Sequence, residues 1–195
     1  MDAGRRKISP TDKEGYSRAL KDTQSWQNLN QAFNAESRVT VLYGLYAECA
    51  RAAGQVEAER LFEKTAENER AHAKVWFRQL FEACPEAVGN LLSAADGEHF
   101  EWTQMYNEYA RQARQDGYEP LAQLFDKVAT IERSHEQAYR AAADAIQNGT
   151  AHKRSQPVQW QCEVCGYIYD GMEAPLVCPV CGHPQGYYVE KPAQG

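Results

Sequence analysis

Residues 62–77 read FEKTAENERAHAKVWF, and the fold turns on four of them, Glu69-Arg70-Ala71-His72. Glu69 and His72 are three residues apart, so on a helix they share one face. Phe62, Thr65, Glu69, His72 and Trp76 follow steps of three and four, the stripe that a bundle helix turns to the core. A carboxylate and an imidazole on a buried stripe are costly unless something neutralises them. Alone, the stretch is equally well a polar helix surface or a metal-ligand pair. Recurrence decides between them: Glu132-Arg133-Ser134-His135 repeats the spacing and the kind of neighbours.

Working outward, the spacing predicts four long helices. Ser25 is the expected N-cap of the first, whose stripe is Leu29, Phe33, Glu36, Thr40, Tyr43 and Ala47 and whose end is near Gly54. The second runs from about Val56 to Phe81, and Pro85 breaks the helical pattern beyond it. The third begins between Pro85 and Asn90, carries Leu91, Ala94, Glu98, Glu101 and Met105, and ends around Asp116-Gly117. Pro120 suits the first turn of the fourth, whose stripe is Leu121, Phe125, Val128, Glu132, His135, Tyr139, Ala142 and Ile146, and Asn148-Gly149 stops it. The expected architecture is an all-α four-helix bundle over residues 23–149, after an N-terminal extension, 1–22, with no apolar period. A weak internal repeat supports it: 62 residues separate Glu36 from Glu98, and 63 separate Glu69 from Glu132 and His72 from His135.

The stripes are thus broken by ionisable residues at matching positions: Glu36, Glu69, His72, Glu98, Glu101, Glu132 and His135. Buried acids left alone would take up protons, whereas two divalent cations would keep them ionised. Five carboxylates and two imidazoles suit two irons or manganeses. The competing reading, buried salt bridges, is poor because no Lys or Arg lies on these stripes. Tyr43 and Tyr106 are placed either to hydrogen-bond a ligand carboxylate or simply to pack. Gly97 points to close helix approach, with room for a ligand as the alternative. His99 falls one position off the stripe and reads as a neighbour of the site or a surface residue. Trp76 and Trp102 read as packing, and His152 has no assignable role.

After residue 149 the pattern changes. Residues 150–157 form a polar linker ending at Pro157, and residues 158–195 read as short β segments with Trp160, Tyr167, Ile168 and Tyr169 as a small aromatic core. So short a piece cannot bury enough surface to fold alone, and a metal is expected to hold it. Cys162, Cys165, Cys178 and Cys181 form two C-x2-C pairs twelve residues apart, a tetrahedral thiolate site for iron or zinc. Cys49 and Cys84 are isolated and have no expected role.

Composition sets the limits. A chain of 195 residues, 43% hydrophobic and 25% charged, is ordinary for a soluble globular protein of one sizeable and one small domain. A net charge of −6 argues against nucleic acid as a partner. No apolar run is long enough for a membrane helix, and the polar N-terminus has no signal-peptide h-region, so a cytoplasmic protein is expected.

The stretches AFNAES followed by LYGLYAE, TAENERAHA, DGEHFEWTQMY and IERSHE, with the knuckles WQCEVCGYIYDG and CPVCGHP, resemble the rubrerythrin family over roughly residues 19–190. The knuckles look like those of rubredoxin, which moves the expected tail metal from zinc to iron. The resemblance implies a di-iron bundle with Glu36, Glu69, Glu98, Glu101 and Glu132 as carboxylate ligands, His72 and His135 as imidazole ligands, and Glu69 and Glu132 bridging. It further implies that one iron moves between Glu101 and His72 with redox state, making these two the catalytic pair. The implied activity is reduction of hydrogen peroxide to water. Electrons would come ultimately from NAD(P)H through a rubredoxin or reductase, then through the tail iron past His183. The family also implies a homodimer or larger homo-oligomer. Two other readings stay open: an iron-oxidising, iron-handling ferritin-like protein that uses dioxygen, and a zinc-loaded scaffold without catalysis.

Overall fold

The computed structural model describes residues 20–21, 23–81 and 86–192. The expectations for residues 1–19, Cys84 and Pro85 lie outside the described residues. The chain divides into two compact units, residues 1–84 and 85–195.

The first unit is a helical hairpin of α1 (Gln24–Ala52) and α2 (Val56–Leu80). Thr23, not Ser25, caps α1: its side-chain oxygen accepts the N–H of Trp26 at 3.2 Å, and Ser25 falls inside the first turn. The turn between the helices depends on Gly54, whose φ of 69° is the left-handed conformation that ends helices. Arg51 then fastens α1 to α2 through Glu59 and Glu63 at 2.5 and 2.9 Å. Along the seam Phe33 meets Phe77, and Tyr43 and Tyr46 meet Phe62, with ring centroids 5.4–6.1 Å apart. The residues buried here are Ala47, Ala73 and Leu80.

The second unit opens with α3 (Ala87–Phe100), a π-helical turn (Glu101–Met105) and α4 (Tyr106–Gln115), and returns along α5 (Glu119–Gln147). Pro120 sits in the first turn of α5 as its fixed φ suggests, and Gly149, at φ 63°, comes just past the helix end. Ala110, Ala113 and Ala122 form the tight part of this seam, with Phe125 against them. The uninterrupted third helix expected from the spacing is corrected by the π turn. Within its own unit a Cβ at Gly97 would meet no atom within 4 Å.

The unit ends in a three-stranded antiparallel sheet of order β2-β1-β3, formed by β1 (Lys153–Cys162), β2 (Ile168–Glu173) and β3 (Tyr188–Glu190). β1 starts before Pro157, which lies where the register shifts between Lys153 and Val158; proline tolerates such a position because the ladder bond is missing there. Trp160 and Tyr188 are the large side chains fully buried here, packed with Cys162, Cys178 and Ala174. Ile168 and Tyr169, expected in this core, are exposed, and Tyr188 fills the space instead. Among the described residues no helix is long and apolar enough to cross a membrane.

Candidate metal centres

Each helical pair brings two carboxylates and one imidazole together. In the first unit Glu36 on α1 faces Glu69 and His72 on α2, and in the second Glu98 on α3 faces Glu132 and His135 on α5. The two triads are nearly superposable in their distances. His72 Nδ1 lies 2.8 Å from Glu69 Oε2 and 4.0 Å from Glu36 Oε1, and His135 Nδ1 lies 2.7 Å from Glu132 Oε2 and 3.8 Å from Glu98 Oε2. The repeat in the sequence is therefore a repeat in space, and each triad's ligand atoms lie within 4.8 Å of one another. Among the described residues none of these carboxylates, nor Glu101, pairs with Lys or Arg, as stripes without Lys or Arg imply.

The electrostatics within each triad suit a cation. Burial, then the hydrogen bond and negative charge of Glu69, raises the pKa of Glu36; Glu69 itself is lowered by its bonds to His72 and Glu36. Glu98 is raised by burial, by Glu132 and by the charge of Glu101. Acids that repel one another and share protons present a donor set that a divalent ion would relieve. In each pair taken by itself the carboxylates are half-buried, while His72 and His135 are 55% and 49% exposed.

The π turn explains the placement of Tyr106. In an α-helix a residue five positions on lies about 140° around the axis. Here the N–H of Tyr106 donates to the carbonyl of Glu101, the i→i+5 bond of a π turn, and sets Tyr106 above Glu101. Burial and the nearby charges of Glu101, Glu132 and Glu98 keep its hydroxyl protonated. Tyr43 packs between Tyr46 and Phe62.

Sequence reasoning passed over one cluster beside the second triad. Glu136 accepts the indole N–H of Trp102 at 2.6 Å and Arg140 Nε at 2.8 Å, with His99 Nδ1 at 3.1 Å. Trp102, Arg140 and His99 hold the Glu136 pKa down to about 2. Arg140 also reaches Asp96 at 3.0 Å. Trp102 is thus more than the packing residue it reads as, and His99 is a neighbour of the site. The signal in the sequence was the single Glu after His135, unreadable without knowing that Trp102 comes beside it.

In the tail the four cysteine sulfurs lie together. Cys162 and Cys181 are 3.7 Å apart, and Cys165 and Cys178 are 3.6 Å apart. A tetrahedral ion with metal–sulfur bonds of about 2.3 Å requires edges of about 3.8 Å, so the donor set fits one metal. Both knuckles are built alike: Gly166 and Gly182, at φ 77° and 74°, donate their N–H groups to the backbone carbonyl oxygens of Cys162 and Cys178 at 2.8 and 2.9 Å. Burial opposes ionisation of Cys178, yet the Tyr188 hydroxyl and the N–H groups of Cys181 and Val180 bring its pKa down to about 6. His183 Nδ1 lies 3.3 Å from the Cys181 carbonyl oxygen, its ring edge-on to Tyr187. His152 packs against Trp160 at 6.2 Å.

Comparison with known proteins agrees with both centres. The family model described as rubrerythrin matches residues 27–143, and that of the rubrerythrin rubredoxin-like domain matches residues 160–189. The chain is 36% identical to rubrerythrin-1 of Clostridium acetobutylicum over 187 residues, covering 88% of this chain and 96% of that protein. It is 34% identical to rubrerythrin of Nitratidesulfovibrio vulgaris, covering 88% and 96%, and 32% identical to rubrerythrin of Porphyromonas gingivalis, covering 93% and 96%. With two carboxylate–histidine triads suited to a di-iron centre, a four-cysteine rubredoxin-like site and these likenesses over most of its length, the chain belongs to the rubrerythrin family.

Proposed function

We propose that this protein is a non-haem di-iron peroxidase that reduces hydrogen peroxide to water, fed with electrons through an iron in the four-cysteine site. The observation that carries the reading is Glu101, a carboxylate beyond the two triads, held on a π turn under Tyr106 in a chain that also carries an electron-transfer domain. An iron-storage protein needs neither. In this reading two irons would be held by Glu36, Glu69, Glu98, Glu101 and Glu132 with His72 and His135, Glu101 and His72 being the pair that responds to redox state. Held there in the ferrous state, they would supply the two electrons that reduction of the O–O bond to two waters consumes, with two protons.

The chain's own groups do the rest. The carboxylates would hold the ions and offset their charge. The Tyr106 hydroxyl, protonated among three carboxylates, donates a hydrogen bond that fixes a ligand oxygen, and Tyr43 serves the first triad in the same way. His183 lies on the electron path out of the tail. Electrons originate with NAD(P)H and arrive through a rubredoxin or reductase. Residues 23–149 are the di-iron domain and 158–195 the electron-transfer domain.

The working unit is a homodimer or a larger homo-oligomer. Each helical pair taken by itself leaves apolar side chains open, among them Val41 and Leu61, which are 65% and 67% exposed, and Leu124 and Ile131, so it requires further helices against it. Stopped-flow oxidation of the fully reduced protein by peroxide and, separately, by dioxygen tests the activity: faster reaction with peroxide is expected, and a clear preference for dioxygen would favour iron handling instead. Co-expressed Cys162→Ser and Glu132→Ala chains test the dimer. Neither variant alone should have donor-driven activity, and the purified mixed dimer should recover it.

A further inference from the structure

The residues next in sequence to the four candidate ligands of the second unit converge on one side chain. Trp102 comes directly after Glu101. Its indole N–H donates to Glu136, which comes directly after His135, at 2.6 Å. The guanidinium of Arg133, directly after Glu132, stands 5.5 Å over its ring. The imidazole of His99, directly after Glu98, meets it edge-on with centroids 5.5 Å apart and closes the circuit by reaching Glu136. Arg140 adds a further bond to Glu136 and anchors it to Asp96.

Two helices and a π turn therefore meet behind the triad through four side chains, each one peptide bond away from a ligand. The first unit has nothing comparable: among the described residues Ser37, Arg70 and Ala73, which come directly after Glu36, Glu69 and His72, form no such cluster. The Glu136 side chain is 12% exposed, so its bond to the indole is shielded from water. A π turn carries one more residue than an α-helical turn, and the indole ties this one to α5 from inside the turn.

We propose that Trp102 is a positioning residue: by joining His99, Arg133 and Glu136 it fixes Glu98, Glu101, Glu132 and His135 as one unit poised for metal. The inference rests on reading these four as ligands. Groups that orient metal ligands at one remove are worth about ten- to hundredfold in affinity, and the effect of losing the indole N–H belongs in that range.

The test uses the full-length, metal-free chain titrated with Co2+. Binding at carboxylate–histidine positions is monitored in the weak visible bands, and binding at the four cysteines in the intense thiolate charge-transfer absorption. Trp102→Phe keeps an aromatic ring for Arg133 and His99 but removes the N–H together with the second ring of the indole. It is expected to weaken Co2+ binding to the helices about tenfold or more and to shift its visible bands, with the cysteine site and the melting of the metal-free helices little changed. Glu136→Gln, which nearly preserves shape, should act in the same direction and provides the decision if Trp102→Phe does not fold. Wild-type Co2+ affinity in both variants, with helical binding abolished by Glu132→Ala, would overturn the positioning role and leave the ligand reading intact. Helical binding that survives Glu132→Ala would overturn both. Equal weakening of helical and cysteine sites would show general destabilisation and also overturn the proposal.

Discussion

Loss of one cysteine should cost the tail more than loss of its largest core side chain. Trp160 is 1% exposed, donates its indole N–H to the Gly171 carbonyl at 3.0 Å and lies under Arg154. Removing such a ring typically costs about 3–5 kcal/mol, and the lost hydrogen bond about 1 kcal/mol more. A structural metal in a small domain contributes about 10–16 kcal/mol. Cys178 is also 2% exposed, so Cys178→Ala removes a ligand and part of the same core. In the iron-loaded protein, Trp160→Ala should retain the thiolate–iron colour and the protection of β1 amides against hydrogen exchange, both reduced in thermal stability. Cys178→Ala should lose the colour and expose the β1 amides at room temperature, while helical circular dichroism barely changes. Protected β1 amides in Cys178→Ala would refute the argument, since the sheet would then stand without its metal.

Glu101→Ala should leave helical content intact and slow peroxide turnover markedly in stopped-flow mixing; unchanged kinetics would remove Glu101 from the reaction. Glu132→Ala should lower bound iron from about three per chain toward one, counted from the ligand sets, with the tail colour retained in the visible spectrum. Thr23→Ala, which deletes the cap of α1, should destabilise the helical part by about 1 kcal/mol in a denaturant melt, whereas Ser25→Ala should change little.

Much of this was legible because it is written in spacing. The 62–63-residue repeat places two equivalent triads, and the glycines after α1, α4 and α5 and in each knuckle sit where the backbone takes a positive φ. What was not legible depends on competition between neighbours. Thr23 and Ser25 are both good caps, and the one whose oxygen meets a free N–H takes the role. Glu98, Glu101 and Met105 fit an α stripe as well as a π turn, since three- and four-residue steps do not reveal an extra residue. Ile168, Tyr169 and Tyr188 are equally suited to a small core, and the antiparallel register that pairs Cys162 with Tyr188 turns Tyr188 inward. The bond from Trp102 to Glu136 spans 34 residues, beyond the reach of any local pattern.

The π turn also sets how this chain tolerates change in length. An α-helix interrupted by five residues of π-helix has a surplus residue, and deleting any one of residues 101–105 would let an ordinary helix run through. The repaired helix would look better by every local measure, and it would keep α4 in phase with α3, because five residues of a π turn cover about the rotation that four cover in an α-helix. Ala110 and Ala113 would stay in the seam with α5. What would change lies inside the turn, where four side chains would take the places of five, Glu101 and Trp102 among those at stake. A single-codon deletion here is thus expected to leave the helical seam standing while altering which side chains are presented beside the second triad.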